Sequence, residues 1–381
     1  MKKRILAVVL AAAMLALLAT GCSANGTADN SKDGAVAIGG LAPLTGDVSI
    51  YGIATNNGVQ MAIDEINANG GNYKYVAYDE KGDATEAINA YNKLVSNDKV
   101  VALIGDVTSK PCLAVAQQAQ KDNMPMITAT GTAVAITEAG ENVFRACFTD
   151  PYQGEVMASY AYNKLGAKTA AIIYNVADDY SLGLAEAFEK TATGLGMEIV
   201  AKEGYNKGDV DFKAQLTNIA SANPDVLFIP VYYEDVALIA VQASEVGVKA
   251  KLLGGDGWDG VLKKIDASSV SCLDGALYCS HYSSQSSDER VQTFIKNYTE
   301  KFGEAPNTFA ALGYDAAYMM TKAIENAGST DSAAIVEAMK NLEYDGITGH
   351  MVFDENRNPI KSAVILEING GAESFVENYE K

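Results

Sequence analysis

Small polar residues follow three short apolar runs of this sequence, and they are its best candidates for binding chemistry. Thr45 and Gly46 follow the run at 36–42, Thr108 and Ser109 follow the run at 100–105, and Thr-Gly-Thr at 130–132 follows the run at 125–129. Hydroxyls and free backbone N–H groups at helix starts can hold a carboxylate without a fixed cation. Capping of the next helix is the plainer explanation for any one residue, but three such groups favour a binding site.

Residues for catalysis are scarce. The chain has only two histidines, His281 and His350, and it contains neither His-Glu-x-x-His nor Gly-x-Ser-x-Gly. A histidine-based triad or a zinc hydrolase would therefore need an unrelated arrangement. We interpret both histidines as structural and expect neither an enzyme nor a cofactor.

Residues 255–260 fit the dinucleotide-binding pattern Gly-x-Gly-x-x-Gly. However, Asp256 would direct a carboxylate at the pyrophosphate, and Trp258 is bulky where the backbone must approach it. The pattern also lies late in the chain, so a dinucleotide site is not predicted.

Residues 354–365 begin like a calcium-binding loop. Pro359 replaces the glycine of its sixth position and Ile365 replaces the glutamate of its twelfth. We interpret this segment as the turn of a hairpin at 349–366.

Apolar runs alternate with amphipathic stretches from residue 35 onwards. This order of strands and helices predicts parallel sheets covered on both faces. Strands are predicted at 36–42, 73–78, 100–105, 125–129, 169–174, 198–203, 225–231 and 251–254, and helices at 55–66, 84–95, 113–120, 154–165, 184–195, 212–220, 236–246, 291–301, 309–326 and 333–341. Because the rhythm restarts after residue 151, we expect two α/β lobes, and the later helices and hairpin indicate a chain that crosses back between them.

Residues 1–21 have the pattern of an export signal. A basic start precedes an apolar run at 5–19, which is shorter than the roughly 20 residues that span a bilayer and ends in small residues. Ala-Thr-Gly-Cys at 19–22 resembles the lipobox of bacterial lipoproteins, which implies a lipid on the Cys22 thiol. An ordinary signal with a chance cysteine is the alternative. Residues 22–34 predict a flexible tether.

The 381-residue chain is acidic, with a formal net charge of −19. Removal of the basic signal would make it more acidic still, so phosphates of nucleic acid would repel it. Nucleic acid is therefore not an expected partner.

Four cysteines accompany Cys22, at positions 112, 147, 272 and 279. None forms a Cys-x-x-Cys pair, so a structural zinc site is not expected. A disulfide between Cys272 and Cys279 and buried free thiols are equally good explanations.

Five motifs occur in order along the chain: Ala-Pro-Leu-Thr-Gly at 42–46, Ala-Leu-Ile-Gly-Asp-Val-Thr-Ser at 102–109, Pro-Met-Ile-Thr-Ala-Thr-Gly-Thr at 125–132, Gly-Gly-Asp-Gly-Trp at 254–258 and Gly-Tyr-Asp at 313–315. As an ordered set they resemble the branched-chain amino acid (leucine/isoleucine/valine) binding proteins of ABC importers. The resemblance covers the chain from Ala35 and implies the type I periplasmic binding protein fold: two Rossmann-like α/β lobes, a three-crossing hinge and a ligand cleft. We expect residues 35–151 and 283–343 in lobe 1, and residues 152–282 and 344–381 in lobe 2.

The resemblance also implies the positions of the ligand contacts. They are Tyr51, Val107, Thr108, Ser109, Thr130, Thr132, Tyr180, Tyr232, Asp256 and Tyr314. Ser109 and Thr132 resemble the hydroxyls that meet the ligand's α-carboxylate and amino group, and Asp256 stands where the family places an acid facing the α-ammonium. The tyrosines resemble the pocket walls, with Tyr314 near the hinge. Ala129, Gly131 and Ala133 depart from the family pattern and leave side-chain selectivity open.

The family implies an extracytoplasmic protein that captures an amino acid and delivers it to permease subunits. With the lipobox at Cys22, we expect a lipid-anchored monomer. Leucine, isoleucine and valine are favoured, and short amides or urea are the alternative ligands. A ligand-sensing protein is the alternative function, although such a receptor normally carries a transmembrane helix. The anchor fits a Gram-positive cell surface and a periplasm equally well.

Overall fold

The computed structural model describes residues 34–380. The predicted signal, Cys22 and the tether up to residue 33 lie outside the described residues. Between residues 34 and 380, no helix is long and apolar enough to cross a membrane. Over the same range, no group of His, Cys, Asp and Glu side chains is arranged to hold a metal ion.

Residues 36–145 build a five-stranded parallel sheet. Its strands are β1 (Val36–Ala42), β2 (Tyr73–Asp79), β3 (Ala102–Ile104), β4 (Met126–Thr128) and β5 (Val143–Arg145), connected by helices α1 (Ser49–Ala68), α2 (Ala84–Lys93), α3 (Ser109–Lys121) and α4 (Ala135–Glu138). The strand order is β2-β1-β3-β4-β5. Because β1, β3 and β4 are neighbours and parallel, their carboxyl ends lie at one edge of the sheet. The predicted candidate Thr45 after β1 is exposed and donates to Asp79 at 2.6 Å, so it does not meet the polar residues that follow β3 and β4.

A second α/β unit follows. It contains helices α5 (Asp150–Asn163), α6 (Asp179–Gly194), α7 (Lys213–Ala222), α8 (Tyr233–Glu245) and α9 (Val261–Lys264), and strands β6 (Thr169–Asn175), β7 (Glu198–Tyr205), β8 (Val226–Phe228), β9 (Lys251–Gly254) and β10 (Ala276–Ser280). The rest of the chain forms α10 (Glu289–Phe302), α11 (Thr308–Ala327), α12 (Ser332–Lys340), β11 (Glu343–Gly346), β12 (Gly349–Val352), β13 (Ala363–Asn369) and β14 (Ala372–Tyr379). The larger sheet has the order β14-β13-β10-β9-β8-β6-β7.

After β10 the chain returns to the first sheet and then to the second. Helix α11 packs along α1 and contacts β3 and β4, whereas β13 pairs antiparallel with β10, and β14 pairs with β13. This path agrees with the crossing between lobes that was predicted from the elements after residue 283. The boundary residues of the two lobes stay a prediction.

The predicted hairpin at 349–366 is wrong. Strand β12 pairs with β11, and β13 belongs to the larger sheet. A turn does form at 354–358, where the Asp354 N–H donates to the Asn358 carbonyl at 2.8 Å, but it joins segments of different sheets. Alternating apolar residues identify a strand and not its partner, because pairing depends on contacts distant in sequence.

All four cysteines of the described residues are free thiols. Cys112, Cys147 and Cys279 are buried, and burial raises the pKa of Cys112 and of Cys147 to about 12. The structure therefore decides for free thiols over the Cys272–Cys279 disulfide.

Helices α1 and α11 approach so closely that their contact requires glycine. A Cβ added to Gly58 would lie 2.1 Å from the Ala310 carbonyl oxygen, and one added to Gly313 would lie 2.3 Å from the Thr55 carbonyl oxygen. The obstacles are backbone atoms, which cannot rotate away as a side chain can.

Gly58→Ala is expected to lower the free energy of unfolding by about 1–3 kcal/mol, because the added methyl group must separate the two helices. Urea unfolding measures the change. Gly194→Ala is the matched control, since its Cβ would meet nothing within 4 Å, and we expect it to be neutral or stabilising by up to about 1 kcal/mol. An equal decrease in the free energy of unfolding in both variants would contradict the close contact between α1 and α11.

Candidate functional site

Nine of the ten predicted site residues line one small cavity. The cavity has about 10 Å³ of free space. Its lining consists of Tyr51, Val107, Thr108, Ser109, Thr130, Thr132, Tyr180, Tyr232, Asp256, Gly257 and Phe309. The residues at 107–109 and 130–132 follow β3 and β4 of the first sheet. Tyr180, Tyr232 and Asp256 follow strands of the second sheet. The carboxyl ends of strands from both sheets therefore face one another across the cavity.

Tyr314 lies away from this cavity. Its hydroxyl donates to the Glu65 carboxylate at 2.5 Å, and Tyr318 donates to the same oxygen at 3.1 Å. Tyr314 is five residues beyond Phe309 on α11, and an α-helix turns by about 140° over that distance. Phe309 faces the cavity, so Tyr314 points toward another side of the helix.

One side of the cavity presents hydroxyls and backbone groups. The Thr108 side chain makes no capping hydrogen bond to α3, and Ser109 Oγ accepts from the Ala133 N–H at 3.3 Å. Thr130 Oγ1 donates to the Val107 carbonyl at 2.7 Å. Helix capping therefore does not explain these residues; their bonds join the two loops that form this side of the cavity.

Arg145, which was not predicted from the sequence, binds the backbone of the loop that contains Thr130 and Thr132. It is fully buried, and its guanidinium donates to the Gly131 carbonyl at 2.9 Å and to the Ala133 carbonyl at 2.8 Å. The same group contacts Thr137 Oγ1 at 3.2 Å. A planar guanidinium with several donors is suited to fixing such a set of backbone acceptors.

The opposite side of the cavity presents Asp256, which is only 3 % exposed. Its Oδ1 accepts from the Tyr180 hydroxyl at 2.9 Å, and its Oδ2 lies 3.2 Å from His281 Nε2. The Asp256 N–H donates to Gln153 Oε1 at 2.9 Å. Asp256 is therefore not a surface residue of its glycine-rich turn, and its carboxylate is an oriented acceptor.

Aromatic rings form the walls between the two sides. Tyr180 stacks on Tyr232 with 4.8 Å between ring centres, and Tyr51 stacks on Phe309 with 4.1 Å. Burial raises the pKa of Tyr51, Tyr180 and Tyr232 well above that of free tyrosine, so these rings are neutral. They provide rigid apolar faces with few polar atoms.

Five residues of this region were not predicted: Gly257 and Phe309 in the lining, and Arg145, Gln153 and His281 behind it. Arg145 is a lone cation in the apolar segment Val-Phe-Arg-Ala-Cys at 143–147, which is a signal that sequence reasoning could have used. No local pattern distinguishes the others.

Comparisons with known proteins agree with this geometry. A family model described as periplasmic binding protein matches residues 35–372. The Leu/Ile/Val-binding protein BraC3 of Rhizobium johnstonii is 32% identical over 80% of this chain and 83% of its own length.

Two solved structures are similar over most of the chain. The leucine-binding protein LivK of Thermotoga maritima is 35% identical, covers 90% of this chain and 98% of its own, and has a TM-score of 0.84. LivJ of Streptococcus pneumoniae, a branched-chain amino acid transporter substrate-binding protein in complex with isoleucine, is 30% identical and covers 90% of this chain and 99% of its own, with a TM-score of 0.83. Since the family model matches most of the chain, and the cavity lies between two α/β sheets as the resemblance predicted, this chain belongs to the periplasmic binding protein family.

Proposed function

We propose that this chain is the solute-binding subunit of an ABC importer and that it captures an amino acid, with leucine, isoleucine or valine favoured. One observation carries the proposal: a buried carboxylate faces residues with hydroxyl groups across a cavity with aromatic walls. A zwitterion needs donors at one end and an acceptor at the other, both shielded from water. The names of the similar proteins support the same class of ligand.

Each part of the ligand has a proposed partner. Ser109 and Thr132, with backbone groups near Thr130, would bind the α-carboxylate and would also contact the amino group. The N–H groups of that amino group would donate hydrogen bonds to Asp256. Val107 and Thr108 would lie beside the ligand. Tyr51, Tyr180 and Tyr232 would enclose its side chain, and an aliphatic side chain suits such apolar faces.

Binding would proceed by hinge closure. About 10 Å³ of free space remains in the cavity, less than one amino acid occupies, so entry requires its two sides to separate. We propose residues 35–151 with 283–343 and residues 152–282 with 344–381 as the two lobes. A ligand that contacts both lobes favours the closed form through its differential affinity.

Tyr51→Phe is expected to weaken ligand binding about tenfold or more. The Tyr51 hydroxyl donates to the Gly257 carbonyl and accepts from the Tyr233 N–H at 3.0 Å, so it joins α1 to the opposite side of the cavity. Its loss leaves two buried backbone groups unpaired in the closed form, at about 1–3 kcal/mol each. Calorimetry measures the affinity. Tyr318→Phe, which removes a hydroxyl outside the cavity, should not change it, and wild-type affinity in Tyr51→Phe would exclude the bridging role.

The cellular context is also a proposal. We infer that residues 1–21 are an export signal and that Cys22 carries a lipid, which would tether a monomeric, extracytoplasmic binder beside its permease. Mass spectrometry of the membrane-extracted protein tests the anchor, since an unmodified Cys22 would exclude it. We propose no catalytic role.

A thermal-shift screen of the common amino acids, short amides and urea tests the ligand. Stabilisation by leucine, isoleucine or valine is expected, because a ligand that binds only the folded form raises Tm. Stabilisation by amides alone would overturn the amino acid assignment. The screen must use protein freed of any co-purified ligand by unfolding and refolding.

A further inference from the structure

His281 is a buried residue that has no role in the ligand contacts proposed above. It directly follows β10, its side chain is 0% exposed, and its ring stacks on Phe148 with 3.5 Å between ring centres and 21° between planes. Backbone and stacking therefore fix the ring, with Nε2 at 3.2 Å from Asp256 Oδ2.

The chemistry of this contact determines the form of the imidazole. Nε2 faces a carboxylate oxygen, which only accepts, so a hydrogen bond requires the proton on Nε2. Nδ1 has no partner within residues 34–380, which suits a bare nitrogen better than an N–H group. Burial lowers the pKa of His281 to about 4, so near neutral pH the ring is an uncharged donor.

Asp256 thus receives one donor on each oxygen, the Tyr180 hydroxyl on Oδ1 and His281 on Oδ2. Each oxygen has a second lone pair for another donor. Within residues 34–380, no lysine or arginine forms an ion pair with Asp256. A cationic partner would compete with the ammonium group of a ligand for the Asp256 carboxylate. Two uncharged donors orient the carboxylate without neutralising its negative charge, which remains to attract the ligand.

We propose that His281 is a positioning residue that orients the Asp256 carboxylate toward the ammonium group of the ligand without neutralising it. This inference rests on the proposed function, because it assumes that Asp256 accepts from the ammonium group of an amino acid. A purely structural role, in which the ring only fills the core beside Phe148, would not depend on the charge of Asp256.

Leucine binding in four variants separates these roles. Affinity is followed through the rise of Tm with L-leucine concentration, which also reports weak binding. His281→Leu should weaken binding about tenfold or more, as loss of a hydrogen bond to a charged group does. His281→Gln keeps a side-chain N–H donor and should recover most of the loss. In an Asp256→Asn background, His281→Leu should weaken leucine binding by no more than about a further twofold. The two losses are not additive because His281 acts through Asp256.

Wild-type affinity in His281→Leu, or the same loss in both backgrounds, would overturn the positioning role. Failure of the wild-type protein to bind leucine or any other amino acid would instead overturn the proposed function.

A spectroscopic measurement tests the same inference if His281→Leu does not fold or if Asp256→Asn binds no leucine. His350 is the only other histidine, and it lies at the surface, so His350→Gln leaves a single imidazole for 15N NMR. We expect a neutral ring at pH 7 with its proton on Nε2, and a shift of the Nε2 signal on addition of leucine. A proton on Nδ1, a charged ring or an unmoved signal would contradict the proposal.

Discussion

Asp256→Ala is expected to weaken amino acid binding by about 2–5 kcal/mol, the loss that follows when one partner of a buried charge pair is removed. This corresponds to a dissociation constant raised from about 30-fold to several thousandfold. The reason is that Asp256 is 3 % exposed, so water cannot replace the carboxylate opposite an ammonium group. Calorimetry with leucine measures the change directly.

Asp266→Ala is the matched control for this experiment. Asp266 is an exposed acid ten residues along the chain, so its removal changes the net charge equally without touching the cavity. We expect wild-type affinity for the control. If Asp256→Ala also retained wild-type affinity, Asp256 would have no place in the ligand site.

Arg145→Met is expected to lower the free energy of unfolding by about 2–6 kcal/mol, because two buried backbone acceptors lose their charged donor. The change leaves the Gly131 and Ala133 carbonyls without their donor, and each unpaired buried acceptor costs about 1–3 kcal/mol. Guanidinium chloride unfolding measures the loss. Ligand binding should weaken as well, because the loop with Thr130 and Thr132 loses its support.

Arg290→Met provides the comparison for a surface arginine. The Arg290 side chain is 55% exposed and pairs with Asp288, and exposed ion pairs contribute at most about 1 kcal/mol. A loss in Arg145→Met no larger than that in Arg290→Met would show that the buried guanidinium does not stabilise the loop.

Most helices and strands were predictable because their periodicities are local. Strand β1 at 36–42 and strand β9 at 251–254 match the expected ranges, whereas the strands β5, β10, β11 and β14 were not predicted. Strands β5, β10 and β11 are three to five residues long, which is too few repeats to distinguish a buried strand from other buried structure. Strand β14 has eight residues, but only Tyr379 is buried, so it has no alternating apolar face for a pattern to detect.

Several helices begin earlier than their apolar pattern indicates, and the reason concerns the site. Helix α3 was predicted from residue 113 and begins at Ser109, and α6 was predicted from residue 184 and begins at Asp179. Ser109 and Tyr180 lie in these first turns and line the cavity, so the core-facing apolar pattern does not include them. The amphipathic pattern therefore starts one turn late at the helices that provide Ser109 and Tyr180.

The sequence alone determined the fold class and the edges where ligand chemistry lies, since strand and helix repeats and the polar residues after strands are local properties. The family resemblance added the individual contacts. Only the tertiary structure decided which groups meet: Tyr51 bonds Gly257, 206 residues away, and His281 faces Asp256, 25 residues away. It also placed Tyr314 against Glu65 and not in the cavity. Such contacts depend on how helices and sheets pack. The apolar repeat of one short segment contains no information about which distant segment it will contact.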